Sequence, residues 1–262
     1  MSDWYDVHNH LHDARLADIL DDAIAHLTAI GIKGAIANGT SELDWPAVAA
    51  LAAQTPWVLP SFGLHPWRVP ERSSRWKETL TAALDAHPRA GVGEIGLDRW
   101  IAGHDLSEQT ECFTWQLALA ARRNLPTSIH CVRAWGALSD ALTHTPLPAR
   151  GFLIHAYSGP VDMLASFIKL GAYFSFSPYF LHERKTLQRA AFSTMPLHRI
   201  LVETDAPDLA PPAEMNPHPL PQNLNHPWNL LLSYKALAQL RGLPLESLAA
   251  QVAENFQRWT AA

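Results

Sequence analysis

The chain alternates short apolar segments with longer amphipathic ones as far as about residue 205. Several short segments are nearly continuous apolar runs, which is typical of parallel strands buried on both faces. The longer segments repeat apolar residues every three or four positions, which predicts helices. We therefore predict eight strands, in the segments 5–10, 33–38, 57–62, 89–95, 126–131, 151–155, 171–176 and 199–204.

Helices are predicted between these strands and after the last one, in the segments 16–30, 44–53, 74–86, 106–124, 134–143, 161–170, 183–193, 228–240 and 245–259. Ser107 is the predicted N-cap of the helix from residue 106. Eight strand–helix units in about 250 residues predict an α/β fold, a (β/α)8 TIM barrel in a single domain over residues 1–262. An open doubly wound sheet is the alternative, but no Gly-x-Gly-x-x-Gly follows an early strand.

The amino-acid composition of the chain changes after the predicted eighth strand. Residues 206–227 contain seven prolines. Too little chain follows this stretch for a second domain. We predict a stiff active-site loop over the barrel mouth, followed by two C-terminal helices.

Composition narrows the class of protein further. No apolar run is long enough to span a membrane, and the start of the chain lacks the pattern of a secretory signal. Two cysteines cannot form a disulfide framework, so we predict a cytoplasmic protein. The net charge is −5 and no basic run reaches five residues, which argues against extensive contact with long duplexes. A short nucleic-acid end or a small phosphorylated substrate remains open.

Candidate chemistry begins in the first predicted strand. His8 and His10 are two residues apart, so their imidazoles project from the same face of the strand. His12 lies past the predicted strand end and is expected in a solvated loop. Further histidines and carboxylates fall at the ends of other predicted strands, and the full set is His8, His10, Glu94, His130, His155 and Asp205. Because the carboxyl ends of barrel strands share one face, this set predicts a metal site. Four imidazoles and two carboxylates suit two divalent ions.

The order of these motifs resembles the TatD family of metal-dependent hydrolases, which are amidohydrolase-like barrels best known for deoxyribonuclease activity. The resemblance covers nearly the whole chain and rests on His8-Asn-His10-Leu11, Gly63-Leu-His65-Pro66, Gly93-Glu-Ile-Gly-Leu-Asp98, Leu125-Pro-Thr-Ser-Ile-His130, His155-Ala-Tyr-Ser-Gly159 and Glu203-Thr-Asp-Ala-Pro207. It implies two metal ions, with Glu94 bridging them. The remaining ligands divide between the ions, with His8, His10 and Asp205 on one and His130 and His155 on the other. His65 corresponds to a family residue that faces the substrate.

The chain departs from the family pattern in two places. The family commonly has an arginine two residues after the fifth-strand histidine, where this chain has Val132 followed by Arg133. The family's Asn-Glu-Pro near the C-terminal helices is replaced here by a segment with His226 in the middle. Both departures put the substrate in doubt and leave the predicted ligands intact.

Several residues have two possible roles on sequence grounds. Arg133 is either a phosphate contact or a surface arginine, and Asp98 either binds substrate or caps a turn. Tyr157 is predicted to line the pocket. Glu203 shares a strand face with Asp205 and is predicted to orient a metal-bound imidazole. Arg184 and Lys185 are expected on a solvated helix face.

These observations predict a hydrolase with two divalent ions, whose identity is Zn, Mn, Ni, Co or Mg. Asp205 is the predicted proton acceptor, and His65 and Glu94 complete the catalytic set. The favoured substrate is a phosphodiester at a DNA end, or a small phosphodiester, with no membrane and no obligate protein partner. Hydrolysis of another ester or an amide, such as an aminoacyl ester, is the alternative enzyme activity. A non-catalytic metal-binding scaffold is the alternative from another class.

Overall fold

A computed structural model describes residues 2–103 and 105–261 of the chain. Eight parallel strands lie in sequence order, so that consecutive strands pair with one another. They are β1 (Trp4–Asn9), β2 (Ile32–Asn38), β3 (Val58–Phe62), β4 (Gly91–Asp98), β5 (Thr127–Val132), β6 (Phe152–Ile154), β7 (Ala172–Phe176) and β8 (Ile200–Val202). This architecture confirms the prediction of a single-domain (β/α)8 barrel.

Nine α-helices occur in the described residues: α1 (Leu20–Ala29), α2 (Trp45–Gln54), α3 (Trp76–Ala86), α4 (Leu106–Arg123), α5 (Trp135–His144), α6 (Leu164–Lys169), α7 (Thr186–Thr194), α8 (Leu230–Arg241) and α9 (Leu245–Thr260). The helices predicted from residues 16, 161 and 183 begin as 3-10 turns, so their α-helical parts are shorter than predicted. None of the helices between residues 2 and 261, leaving out residue 104, is both long and apolar enough to cross a membrane.

Two details of the strands and helices correct the sequence prediction. Asp105, not Ser107, caps α4, because its carboxylate accepts hydrogen bonds from the backbone N–H groups of Ser107 and Glu108 at 2.9 and 3.0 Å. β4 continues to Asp98, so Glu94 lies inside this strand and not at its end. All eight residues of β4 are buried. The buried strand therefore fixes the backbone on both sides of Glu94.

The barrel closes between β8 and β1 through side chains and the residues that follow the strands. The carboxylate of Asp6 accepts from the backbone N–H of Thr204 at 3.0 Å and from its hydroxyl at 2.6 Å. Directly beyond, the backbone N–H of Asp205 donates to the carbonyl of His8 at 2.9 Å. The backbone N–H of His10 donates to the carbonyl of Ala206 at 2.8 Å. This seam sets the position of Asp205 relative to His8 and His10.

The helix α4 fixes two loops at the carboxyl ends of strands. Its buried Gln116 accepts from the backbone N–H of Leu64 at 2.7 Å and donates to the carbonyl of Leu64 at 3.2 Å. Gln109, also buried, makes the same pair of contacts with the backbone of Asp98, at 2.8 and 3.0 Å. Both glutamines lie on the face of α4 that packs against the barrel, so they position the residue before His65 and the end of β4.

The proline-rich segment contains short 3-10 turns at Ala213–Met215 and Pro221–Asn223. Arg15, in the loop after β1, binds the first part of the proline-rich segment by donating two hydrogen bonds of 2.8 Å to the carboxylate of Asp208. Asn225 holds its last part by donating to the carbonyl of Thr204 at 2.7 Å. Asp208 and Leu209 line the central cavity. A function as an active-site loop for the whole segment stays a prediction.

Candidate metal centre and catalytic cavity

A cavity of about 830 Å³ opens at the carboxyl ends of the strands. A volume of this size is typical of ligand-binding sites. Seven of the predicted site residues line the cavity, namely His10, His65, Glu94, Asp98, His130, His155 and Asp205. His8 lies beneath them and is fully buried. The structure thus brings the six predicted ligands and His65 into one cluster.

Glu94 lies at the centre of this cluster, and its two oxygens face different imidazoles. Oε2 lies 3.4 Å from Nε2 of both His8 and His10. Oε1 lies 3.0 Å from Nδ1 of His130 and 2.9 Å from Nε2 of His155. One carboxylate therefore stands between two pairs of imidazoles, in the position that a bridging ligand requires.

Asp205 completes the group around His8 and His10. Its Oδ1 lies 3.4 Å from Nε2 of His8 and 3.6 Å from Nε2 of His10. Ligand atoms that bind Zn²⁺ at 2.0–2.1 Å in a tetrahedron must lie about 3.4 Å apart. The spacing of these atoms therefore fits an ion held between them. Oδ1 of Asp205 and Nε2 of His8 are buried and have no hydrogen-bond partner in the described residues.

Hydrogen bonds on the far side of each ring determine which nitrogen faces the cluster as an acceptor. Nδ1 of His10 lies 2.7 Å from the carbonyl of Asn38, which can only accept, so this nitrogen carries the proton and Nε2 presents a lone pair. Nε2 of His130 lies 2.9 Å from the carboxylate of Asp98, which leaves the lone pair of its Nδ1 facing Glu94. Two acceptors 3.0 Å apart need a proton or a metal ion between them. The donor set therefore fits a bound cation.

In His65, unlike in His10 and His130, the ring nitrogen that faces the cluster carries the proton. Its Nδ1 accepts from the backbone N–H of Trp67 at 3.2 Å, so its Nε2 carries the proton and points towards Oε1 of Glu94 at 3.5 Å. Burial lowers the pKa of His65 to about 4, against the attraction of Glu94, so the ring is neutral at neutral pH. This arrangement makes His65 a hydrogen-bond donor to the cavity and not a ligand through Nε2.

His155 is held between Glu94 and Glu203. Its Nδ1 lies 3.7 Å from Oε1 of Glu203, whose other oxygen accepts from the hydroxyl of Ser175 at 2.5 Å. The ring of His155 also stacks on that of His8, with a centroid distance of 3.9 Å. Since His8, His155 and Asp205 themselves offer ligand atoms within 4.8 Å of one another, His155 is close to both groups of imidazoles.

The charges of the cluster favour ionised carboxylates. Burial by itself raises the pKa of Glu94, but the attraction of His65, His155 and His8 lowers it well below its ordinary value. Burial by itself also raises the pKa of Asp205, but the contact with His10 and the attraction of His155 and His8 lower it below its ordinary value. Both side chains are therefore negatively charged at neutral pH and attract cations into the cavity.

The residues predicted to contact substrate lie in three different environments. Tyr157 is buried in the core, where its hydroxyl donates to the carbonyl of Pro160 at 2.6 Å, so the structure does not bring it to the cavity. Asp98 accepts hydrogen bonds from the indole of Trp67 at 2.8 Å and from the backbone N–H of Trp100 at 2.6 Å. Together with the contact to His130, these hydrogen bonds engage both of its carboxylate oxygens. Arg133 is exposed and stacks on Trp100 at 3.9 Å, beside the cavity.

The two departures from the family pattern also differ in position. Val132 lines the cavity. The ring of His226 packs against Trp228 at 4.7 Å, and its Nδ1 accepts from the backbone N–H of Trp228. His226 is not among the residues that line the cavity, so this substitution changes the surroundings of the proline-rich segment and not the cavity wall.

Sequence patterns missed several residues that hold the cluster in place. Ser128 contacts Nδ1 of His8 at 2.7 Å, and Asn38 contacts both His8 and His10. The expectation of a solvated His12 is wrong, because only 5% of its side chain is exposed and its Nε2 lies 3.7 Å from Asp44. Ser128 and Asn38 lie on strands at positions that face the barrel interior, and this spacing is the signal that could have found them.

A (β/α)8 barrel that gathers histidines and carboxylates at the carboxyl ends of its strands has the architecture of a metal-dependent hydrolase. The family of TatD related DNases matches residues 5–260. The chain therefore belongs to this family, which confirms the predicted TatD-type hydrolase acting on ester bonds.

Individual relatives and solved structures agree with this assignment. The 3'-5' ssDNA/RNA exonuclease TatD of Erwinia tasmaniensis is 30% identical over 256 residues, which cover 97% of this chain and 98% of that protein. The protein of the same name from Dickeya dadantii is 31% identical over 264 residues, covering 97% and 96%. The crystal structure of YjjV, a TatD homologue from Escherichia coli, superposes with a TM-score of 0.89 at 26% identity and covers 98% of this chain and 97% of that one.

Proposed function

We propose that this chain is a metal-dependent nuclease that hydrolyses phosphodiester bonds at the ends of single-stranded DNA or RNA. The observation that carries the proposal is the convergence of four imidazole nitrogens on Glu94, at distances of 2.9–3.4 Å. The names of the relatives support a single-stranded nucleic acid as the substrate and 3'-to-5' removal of nucleotides.

Two divalent ions fit the donor set. His8, His10 and Asp205 would hold one ion and His130 and His155 the other, and Glu94 would be available to both. Imidazole-rich ligation favours Zn²⁺, Mn²⁺, Ni²⁺ or Co²⁺ over Mg²⁺, which prefers oxygen ligands. When bound, such a pair of ions lowers the pKa of water and neutralises charge on a phosphoryl group.

The chain's own residues then act on water and substrate. Asp205 is ionised and lines the cavity, so its carboxylate accepts the proton of the attacking water. The Nε2–H of His65 donates to a phosphoryl oxygen as negative charge develops there. Glu203 and Asp98 hold the rings of His155 and His130, and Arg133 contacts a phosphate from its position on Trp100.

Charge supports single-stranded ends over intact duplex. With a net charge of −5, the chain can make only a few phosphate contacts, on the order of two to four. Every proposed ligand comes from one chain, so no protein partner is required for the chemistry. Both cysteines are free and buried, and we propose a cytoplasmic location on the same grounds as from the sequence.

The test combines metal content with a substrate screen. Gently purified protein should contain between one and two divalent ions per chain by elemental analysis, and the metal-loaded protein should shorten single-stranded oligonucleotides faster than blunt duplex. Replacement of both His8 and His10 by Ala should remove one ion, whereas His144→Ala, at an exposed site on α5, should leave metal content unchanged. Hydrolysis of aminoacyl esters without nuclease activity would favour the alternative enzyme function. Bound metal without hydrolysis of any ester would favour a scaffold.

A further inference from the structure

An aromatic and cationic cluster lies at the end of β7, on the rim of the cavity. Nζ of Lys185 lies 4.7 Å from the ring centroid of Tyr179, and the guanidinium carbon of Arg184 lies 5.4 Å from it. Arg184 also donates to the hydroxyl of Tyr179. Tyr179 and Lys185 both line the cavity. Arg184 is exposed, as expected for a solvated helix face, whereas Lys185 is half-buried and lines the cavity.

The segment that carries this cluster is anchored to the barrel. Phe180, next to Tyr179, is buried between Phe176 and Phe192, with centroid distances of 5.5 Å to each. Arg189 in α7 donates to the carbonyls of Phe180 and His182 at 2.6 and 2.8 Å. The buried ring of Phe180 and the two hydrogen bonds from the Arg189 side chain to backbone carbonyls hold this segment, so its remaining side chains lie at a fixed place on the rim.

Lys185 differs from the other cations that line the cavity. Arg15 contacts the carboxylate of Asp208 at 2.8 Å, and Arg68 contacts that of Glu71 at 3.2 Å. Within residues 2–103 and 105–261, Lys185 has no ion pair with a carboxylate, and neither has Arg184. A cation already paired with a protein carboxylate gains little from a substrate phosphate, whereas an unpaired cation gains a charge-assisted hydrogen bond. Lys185 provides such a cation.

We propose that Tyr179, Arg184 and Lys185 form a binding subsite for the phosphate next to the scissile one in a single-stranded nucleic acid. The inference rests on the proposed nuclease function. Both cations lie beside the aromatic ring, which orients them. The ammonium of Lys185 and the guanidinium N–H groups of Arg184 that do not contact the Tyr179 hydroxyl are free to donate to phosphate oxygens. The scissile phosphate has to lie at Glu94, and the cluster follows a different strand and forms no ion pair with Glu94 in the part of the chain that the structure describes.

The subsite makes a specific demand on the substrate. A substrate with a single phosphodiester, such as dithymidylate or bis(p-nitrophenyl) phosphate, has no second phosphate to offer to it. A longer single strand does. The chain should therefore prefer oligonucleotides over dinucleotides, and the preference should depend on Lys185.

Binding without metal tests the subsite independently of catalysis. Fluorescence anisotropy of a labelled oligothymidylate in excess chelator should give a plot of log affinity against log salt whose slope is shallower by about 0.7 for Lys185→Ala than for the parent, the value for one lost contact to a single strand. Lys235→Ala is the matched control, because Lys235 is exposed on α8, away from the cavity, and its loss changes the net charge equally. Equal slopes for the parent and both variants would overturn the proposal. The same comparison on metal-loaded protein with a phosphorothioate oligothymidylate, which resists hydrolysis, should give the same order of slopes, and a metal-loaded parent that does not bind it would also overturn the proposal.

Kinetics separate this proposal from the nuclease function itself. Lys185→Ala should raise KM for oligothymidylate about fivefold and leave kcat for dithymidylate and for the p-nitrophenyl ester unchanged. Tyr179→Leu, which removes the ring that orients both cations, should have the same pattern, and Tyr179→Phe a smaller effect. An equal loss on substrates with one phosphate would place Lys185 at the scissile phosphate and refute the proposed subsite. A parent that hydrolyses the dye and no oligonucleotide would refute the nuclease function, and the salt slope would still decide whether the cluster binds phosphate.

Discussion

Asp98→Asn tests how the metal centre is oriented without removing any proposed ligand. The Asp98 carboxylate accepts from three sides, from Trp67 at 2.8 Å, from the backbone N–H of Trp100 at 2.6 Å and from Nε2 of His130 at 2.9 Å. Asparagine has almost the same shape, but one of its two terminal atoms is a donor. Since both oxygens of Asp98 face N–H groups, the amide must place a donor against one of them.

The expected loss follows from this contact pattern. If the amide nitrogen faces His130, the ring loses the acceptor that keeps its proton on Nε2 and its lone pair on Nδ1, towards Glu94. If it faces Trp100, the hydrogen bond to the loop is lost instead. Loss of a partner that orients a metal-bound imidazole lowers metal affinity roughly 10–100-fold, or about 1.4–2.7 kcal/mol. Loss of one hydrogen bond to a charged group costs about 1.5–3 kcal/mol, which agrees with the range expected from metal affinity.

The assay is a titration of chelator-treated protein with Zn²⁺ or Mn²⁺, followed by calorimetry and by recovery of phosphodiesterase activity. We expect the weaker of two binding steps to shift, and activity to recover at high metal concentration. Trp67→Phe is the control, because it removes one donor to the same carboxylate and leaves the contact with His130 in place. Asp98→Ala leaves no acceptor for His130, so parent-like affinity, within threefold, in both folded variants would show that Asp98 does not orient His130.

Three further predictions concern the cluster and the seam. Asp205→Asn should reduce turnover at least about 100-fold even at saturating metal, because an amide cannot accept the water's proton, whereas Glu203→Gln should cost about 10–100-fold; turnover measured on folded variants decides. His8→Ala combined with His10→Ala should lose one ion by elemental analysis, and unchanged metal content would exclude both as ligands. Burial raises the pKa of Asp6 to about 7, so between about pH 4 and 7 the folded chain keeps a proton that the unfolded chain has released. The contribution of Asp6 to the free energy of unfolding is therefore complete below pH 4 and is lost as the pH rises to 7, by at most about 1.4 kcal/mol per pH unit. Urea unfolding of Asp6→Asn should show a flatter pH dependence than the parent over this range.

The residues predicted as ligands lie together in the structure, and the sequence signal for this clustering is local. His8 and His10 share a strand face by their spacing alone, and parallel strands bring the residues after them to one edge. The end of β4 was not predictable in the same way, because the polar Glu94 and the two glycines near it are typical of a strand that stops. In the structure the strand continues, and the imidazoles around it supply the partners that make a buried carboxylate acceptable.

The residues that sequence patterns misplaced depend on contacts between distant segments. Tyr157 follows a strand, as site residues do, but packing against Trp135, Phe167 and Phe174 places it in the core. His12 follows β1 in a polar segment, and its side chain is removed from solvent by contacts with Asp44, from the loop after β2, and with the ring of His10. No periodicity within one segment carries this information, because the deciding partner lies elsewhere in the chain.

The seam between β8 and β1 is the place where fold and site depend on each other most closely. The two strands are farthest apart in the sequence, and the side chain of Asp6 joins them through Thr204, next to Asp205. The carboxylate that closes the barrel thus lies on the same strand as His8, and its partner is adjacent to the proposed general base. A change that loosens this contact should therefore displace Asp205 from His8 before it unfolds the domain. The distance of 2.9 Å between the backbone N–H of Asp205 and the carbonyl of His8 leaves no intervening residue to absorb such a movement.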